Sequence, residues 1–434
     1  MRARKTMSIL IALSTLLICS VLMLSACGGN SKPPEPAPTE SETTSEIATP
    51  TMTAEPTEEP VVEVTPDADP AQTLLDAAEL TTEGLLAMVA DKNAVTIVEW
   101  EAVILSRAKF EIDQETLWLP GSCPAVEAYY ELNKYNGDYT APSLEEQRAL
   151  EMKLLTHPEA IIRAFSISQM QNSLGVSDEH SAAVVELLQT DKDPIVIKAA
   201  LSTFQNELAA NAELGKLAFE YAKSDDARVR AAVAYAFGSP WNKGLEGGVE
   251  AIIELLADSE QIVRSSAARG SAGLDEERLI EPLVAILNND EDASTHGDAI
   301  YAIVSMWYNF PMHDSYSEAA YDATLAYYKK TPRTVDIPTW YGLSGLKQVS
   351  EDKLEVWKET ATFFKPADLC SVLAEIAEDT EATFLIRKTC VEVIAVHGTE
   401  ANLESLKNTL SSLDEISRDD QRVIDEIDNA LEKL

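Results

Sequence analysis

Histidine is scarce in this chain, and its five copies are scattered: His157, His180, His296, His313 and His397. Three sit at repeat turns or helix ends, where capping or a surface role is the ordinary explanation. There is no Gly-x-Ser-x-Gly, no His-Glu-x-x-His and no glycine-rich phosphate loop. Two Ser-x-x-Lys matches, Ser106 to Lys109 and Ser344 to Lys347, lack the companion motifs that penicillin-interacting serine enzymes need. Cysteine is also sparse, with no Cys-x-x-Cys and no Cys/His cluster, which argues against zinc. The acidic run Asn288–Asp292 lacks the glycine and terminal glutamate of a calcium loop and reads as a turn. The chain is therefore expected to be no enzyme and to hold no metal or cofactor. Bases are few as well: 34 Lys and Arg stand against 73 Asp and Glu, a net charge of −39. That balance argues against nucleic acid, whose phosphates would be repelled, and against lying flat on anionic lipid. It favours partners with a basic face.

Only one long apolar run is present, and it is at the start. Arg2, Arg4 and Lys5 precede Ile9–Leu24, which is too short for a comfortable membrane span and ends in small residues, as secretory signals do. The end of the run, Leu24-Ser25-Ala26-Cys27-Gly28, resembles a bacterial lipobox. The resemblance implies cleavage before Cys27, a diacylglyceryl thioether on its sulfur and acylation of the new amino group. Two or more acyl chains give stable anchoring, where one gives marginal binding. Residues 1–26 are then a signal peptide, and the protein is expected on the extracytoplasmic side of a bacterial membrane. The absence of Asp after Cys27 leans toward the outer membrane in a host that has one.

Residues 27–70 read as the lipidated cysteine and a tether. Nine prolines fall between Gly28 and Pro70, with ten acids and one base, Lys32. Such a segment cannot bury enough apolar surface to offset its chain entropy. Proline stiffness and self-repulsion extend it. Losing the leader removes three bases and no acid, which takes the net charge from −39 to −42; the tether accounts for −9, leaving the folded part near −33.

Strand-like alternation is scarce beyond residue 70, and apolar residues recur three and four apart, which predicts an all-α fold. A pattern also repeats. Asp226-Ala227-Arg228-Val229-Arg230-Ala231-Ala232 is echoed by His157–Phe165, Asp193–Leu201, Asp258–Ala268 and, weakly, Asp292–Ile300. The basic positions 163, 198, 230, 264 and 296 step by more than thirty residues, and each copy follows a short amphipathic helix. This unit of helix, acidic turn and helix resembles the HEAT-like repeat, of the short kind found in phycobilin-lyase-type proteins. The resemblance implies an α-solenoid of about seven or eight antiparallel helix pairs over residues 143–434, behind a divergent helical N-terminal cap at 71–142. It also implies a ladder between repeats formed by turn acids and second-helix bases: Asp193, Asp226 and Asp258 with Arg163, Lys198, Arg230 and Arg264. Pro194 fits a helix's first turn, whereas Pro282 should kink or shorten its helix. Leu403, Leu406, Leu410 and Leu413 form one stripe, and a polar helix from Arg418 caps the stack.

Two features leave alternatives open. Cys370 and Cys390 lie equally far from Thr380, the centre of a turn between two helices. Folded antiparallel, the helices would bring them level, so a disulfide forms if both face the seam; otherwise they are reduced core residues. Aromatics crowd into residues 301–341, among them Trp307, Tyr308, Tyr316, Trp340 and Tyr341. Rings beside carboxylates would suit a cationic peptide or a sugar, while the plainer reading is a core filled by larger side chains. The functional expectation is a non-enzymatic protein-interaction scaffold held at the envelope by its lipid. The alternatives are a ligand-binding or enzyme-accessory protein using the 301–341 surface, by fold-level analogy, and a spacer that binds nothing specific.

Overall fold

The computed structural model describes residues 69–134, 137–170, 178–308, 315–330, 336–347 and 357–434. The chain divides at residue 65, and the fold below is that of the unit from Pro66 onward. The signal peptide, Cys27 and most of the tether lie outside the described residues.

Four helices open this unit: α1 (Pro70–Asp76), α2 (Thr82–Leu86), α3 (Ile97–Leu105) and α4 (Pro124–Leu132). Eight helix pairs follow among the described residues. They are α5 (Leu144–Leu154) with α6 (Ala160–Gln169), α7 (Asp178–Thr190) with α8 (Pro194–Thr203), α9 (Ala212–Tyr221) with α10 (Ala227–Phe237), and α11 (Gly248–Leu256) with α12 (Gln261–Ser271). Then come α13 (Ile280–Asn289) with α14 (Ala293–Ser305), α15 (Glu318–Lys330) with α16 (Asp336–Leu346), α17 (Pro366–Glu378) with α18 (Phe384–His397), and α19 (Glu400–Ser411) with α20 (Arg418–Leu431). The only β feature among the described residues is an isolated bridge between Asp113 and Trp118. No described helix is long and apolar enough to cross a membrane.

Local chemistry sets the helix ends. Asp193, Asp226 and Asp292 each precede a second helix, and their carboxylates accept backbone amides of its first turn. Ser143 with Glu146 and Ser417 with Asp420 form reciprocal capping boxes. Pro194 takes the first helical position, where its missing N–H costs nothing. Pro282 departs from expectation. A 3₁₀ turn, Glu277–Leu279, precedes α13, so the proline falls in the first α-helical turn and displaces no internal hydrogen bond.

The second helices stack directly on one another. A methyl group at Gly238 would overlap the backbone of Gly270 on the next second helix, so only glycine permits that approach. The first helices are more loosely apposed and leave open grooves, such as one of about 740 Å³ lined by Leu208, Phe219 and Leu245. Leu403, Leu406 and Leu410 are fully buried, as their stripe requires, while Leu413 is half-buried.

Candidate interaction surface

Counting from its N-cap gives every second helix a common register. The fourth residue after the cap is Arg163, Arg230, Arg264 or His296. Arg163 Nε lies 2.7 Å from Asp191, and its Nη1 donates to the carbonyls of His157 and Pro158. Arg230 repeats this with Asp258, at 2.8 and 2.9 Å, and the carbonyls of Ser224 and Asp225. Arg264 repeats it with Asp290, at 2.6 Å, and the carbonyls of Asp258 and Ser259. His296 keeps only the carbonyl contact, to Asp290 at 2.7 Å. Each acid also accepts the amide of the next N-cap residue, 2.8–3.0 Å away. The arginine hydrogen bonds hold Asp258 and Asp290 below the ordinary carboxylate range despite partial burial.

This corrects the ladder expected from the sequence. Asp258 is a ladder acid, but Asp193 and Asp226 are helix caps, and Asp191 and Asp290 take the ladder positions. Lys198 is not in the ladder. It sits five residues after its cap rather than four, a rotation of roughly 100° on a helix. The facing turn position is Ser224, whose hydroxyl accepts the Asp226 amide and offers no charge. Lys198 instead donates to the carbonyl of Thr116, and Arg228 to that of Gln114, both in a loop before α4.

Over the first five helix pairs taken together, charge is segregated between first and second helices. The second helices α6, α8, α10, α12 and α14 carry six Lys or Arg and one acid, Asp298. The first helices α5, α7, α9, α11 and α13 carry eleven acids and three bases. The solvent stripe of the second helices includes Arg228, Tyr235, Ile262, Arg269 and Tyr301. Tyr235 is 42% and Ile262 40% exposed. Arg269 lies over the Tyr301 ring at 4.2 Å and 3.7 Å from Asp298, whose carboxyl burial pushes up although the Ser265 hydroxyl donates to it. The sequence signal for this stripe was present, since bases and aromatics recur at fixed distances from each cap, but overall composition conceals it.

The aromatic crowd is placed differently from the binding alternative. Trp307 and Tyr308 are buried, which corrects their assignment as partner-binding residues: a side chain closed off by its own fold meets no partner. Trp307 Nε1 donates to Thr324, and Trp357 Nε1 donates to the Trp307 carbonyl. Trp357, Phe364 and His397 complete the cluster, with ring centroids 4.8–6.4 Å apart. Burial lowers the His397 imidazole to about 4. Such ring pairs add roughly 0.5–1.5 kcal/mol each beyond area burial. Tyr316 and Trp340 are half-buried, and the side chain of Tyr341 lies outside the described residues. Tyr316 edges a recess of about 180 Å³ with Asp275, Glu276 and Glu277.

Cys370 and Cys390 are buried and not joined to each other, which corrects the disulfide alternative. Cys370 Sγ packs against Gly398, eight residues and therefore about 12 Å along α18 from Cys390. The helices are antiparallel as expected, but their register is offset. Ser106 of the first Ser-x-x-Lys match donates to the Val103 carbonyl, and Lys347 of the second pairs with Glu392. Among the described residues no three His, Cys, Asp or Glu side chains group as metal ligands.

Residues 214–304 match the family model for HEAT repeats. The fold is an all-α HEAT-repeat solenoid. The match begins in α9 and ends in α14, so it spans the stretch where the arginine–aspartate ladder is regular. The chain is also similar to the X-ray structure of the E. coli protein YibA, with 14% identity over 78% of this chain and 99% of that one and a TM-score of 0.35. An engineered protein gives 16% identity over 84% of this chain and 99% of its own, with a TM-score of 0.34. No curated protein matches the chain.

Proposed function

We propose that this protein is a non-enzymatic interaction scaffold, anchored through a lipid on Cys27 to the extracytoplasmic side of a bacterial membrane. The observation that supports it best is the locked stack itself. Among the eight helix pairs, Arg163, Arg230, Arg264 and Arg387 each tie one pair to the next, and stacked pairs present extended surfaces. HEAT repeats generally mediate protein binding. The acid-rich first helices suit a partner with a basic face, through field and contact alike. The lipobox and the acidic tether supply the address and the reach.

Crosslinked capture from intact envelopes tests the scaffold, with a charge-matched acidic protein as control. One basic partner enriched by both the full chain and its Cys27→Ser variant supports it; no enrichment over the control overturns it. Anchoring is tested separately by feeding cells an alkyne-tagged fatty acid. Label on the native chain but not on Cys27→Ser is expected, and equal labelling would refute lipidation at that residue. A second reading, a small cationic ligand, rests on the acidic recess beside Tyr316. It predicts saturable amine binding that Glu277→Gln weakens.

A further inference from the structure

Beyond Asp290 the stack reaches a junction lined by rings, where α16 packs against both α14 and α18. Trp307 and Tyr308 lie just past α14, Trp357 and Phe364 come from residues 357–364, and His397 is the last residue of α18. His397 is 5% exposed. Its ring centroid lies 5.2 Å from that of Tyr308 and 5.6 Å from that of Phe364. Its Nε2 lies 3.0 Å from the carbonyl of Leu346, the last residue of α16. One imidazole thus meets the ends of three helices.

That contact places the proton. A carbonyl only accepts, so Nε2 carries the hydrogen and Nδ1 keeps a lone pair. Nδ1 is buried and has no hydrogen-bond partner. Protonation would make it a second donor facing no acceptor and put a whole charge inside the aromatic cluster. The surrounding groups do not receive that charge. From the end of α14, Tyr308 presents a hydroxyl that is itself unpartnered. From residues 357–364, Lys358 and Glu359 are exposed, and the cation opposes a second one on the ring. Lys347, next to Leu346, is taken by Glu392 of α18 at a half-exposed rim. Cys370 of α17 and Asn402 of α19 pack on Gly398, the next residue; burial pushes the thiol up to about 11, and the carboxamide accepts from Thr399. The carbonyls ending α18 favour a cation, but none accepts from Nδ1.

We propose that His397 is an acid-released latch of the solenoid: protonation at Nδ1 withdraws its ring from the aromatic cluster, breaks its hold on Leu346 and parts α18 from the ends of α14 and α16. The opening is local, because each repeat contacts only its neighbours. It brings Trp357, Phe364 and Tyr308 to solvent while the helices persist. External acid reaches the latch only if the extracytoplasmic placement proposed above holds; the latch itself stands without it. Burial chiefly, against the Leu346 hydrogen bond and with Lys358, lowers the imidazole from 6.5 to about 4. The closed junction therefore binds fewer protons than the open one. It is fully favoured above the free imidazole value and loses ground as pH falls toward about 4.

Amide exchange of the full chain at pH 7.5 and pH 4.5, corrected for intrinsic rates, tests the latch. Protection over 357–364 and 384–397 should fall roughly tenfold to a hundredfold. It should fall less over α9–α12, which contain no histidine. Tryptophan emission should move to the red while helix content is retained. His397→Gln keeps an N–H for the Leu346 carbonyl and cannot titrate, so its protection should hold at pH 4.5. His397→Phe keeps the ring and serves the same comparison if the glutamine variant fails to fold. A parent that loses protection evenly along the chain, or variants that lose it as the parent does, would overturn the latch. So would a His397 imidazole that titrates near 6.5 in the parent by NMR, because it would then be open to water in the native state.

Discussion

Arg387 and Asp420 form the most deeply buried ion pair described in this chain, 2.8 Å apart with side chains 1% and 2% exposed. Arg387 also donates through Nε to the Ala377 carbonyl near the end of α17, and Asp420 caps α20 through Ser417. One guanidinium thus joins α17, α18 and α20. Arg387→Met keeps most of the side-chain volume but leaves the Asp420 carboxylate buried without its cation, which costs about 3–5 kcal/mol. By comparison, the exposed pair Arg278–Glu250 is screened by water and should contribute little. Burial opposes ionisation of Asp420, but Ser417 and Arg387 together hold its carboxyl below the ordinary range. A lowered native value means the contribution is full above the unfolded carboxylate range and is lost as pH falls through the native value. The deficit of Arg387→Met should therefore be largest near neutrality and shrink in acid. Urea titration at pH 7 and in acid measures it, and hydrogen exchange over 366–431 locates it, because stacked repeats open locally. Arg387→Met/Asp420→Asn should recover more than half of the loss, since the amide still accepts from Ser417. A single variant as stable as the parent at pH 7, or a deficit that grows in acid, would refute the reasoning.

Arg230→Met should destabilise the chain by about 1.5–3 kcal/mol in urea, the range for hydrogen bonds to charged groups. Lys198→Met, outside the ladder, should change stability little and instead raise amide exchange in residues 113–118. Gly238→Ala should cost about 1–3 kcal/mol or more by overpacking against Gly270, read as a lowered melting temperature. Mild oxidation followed by thiol labelling in denaturant should find Cys123, Cys370 and Cys390 all reduced; a mass loss of two hydrogens between 370 and 390 would contradict the helix register.

The helices were legible because their signals are local. Acidic turns such as that at Asp226, apolar stripes such as that of α19 and Pro194 at a helix start all lie within one repeat. The ladder was half legible for a physical reason. The turns Asp191-Lys192-Asp193, Asp258-Ser259-Glu260 and Asp290-Glu291-Asp292 carry two or three acids each, and the sequence does not say which one meets the arginine. Folding decides it: the first acid accepts the N-cap amide and the arginine, and at 193 and 292 the last turns inward to cap its helix. Lys198 was misassigned by aligning bases to each other rather than to their caps. Trp307 and Tyr308 are adjacent at the end of α14, and no periodicity tells that both rings turn inside. Two further partners, Trp357 and Phe364, come from beyond the aromatic-rich segment.

Packing alone explains part of the charge segregation. Second helices that approach as closely as Gly238 and Gly270 leave no room for hydrated carboxylates between them, and an unpaired buried charge is costly. Acids therefore collect on the first helices and turns, where open grooves keep them wet. Packing does not explain the solvent side of the same second helices. There, carboxylates would be hydrated and would add to solubility, as they do elsewhere on this chain. The exposed positions there include Tyr235 and Ile262, while Tyr301 packs partly against the core and Arg228 and Arg269 are paired with Asp226 and Asp298. Carboxylates are thus admitted on that side where an arginine neutralises them, and Tyr235 and Ile262 remain as large apolar side chains that the stack itself does not bury.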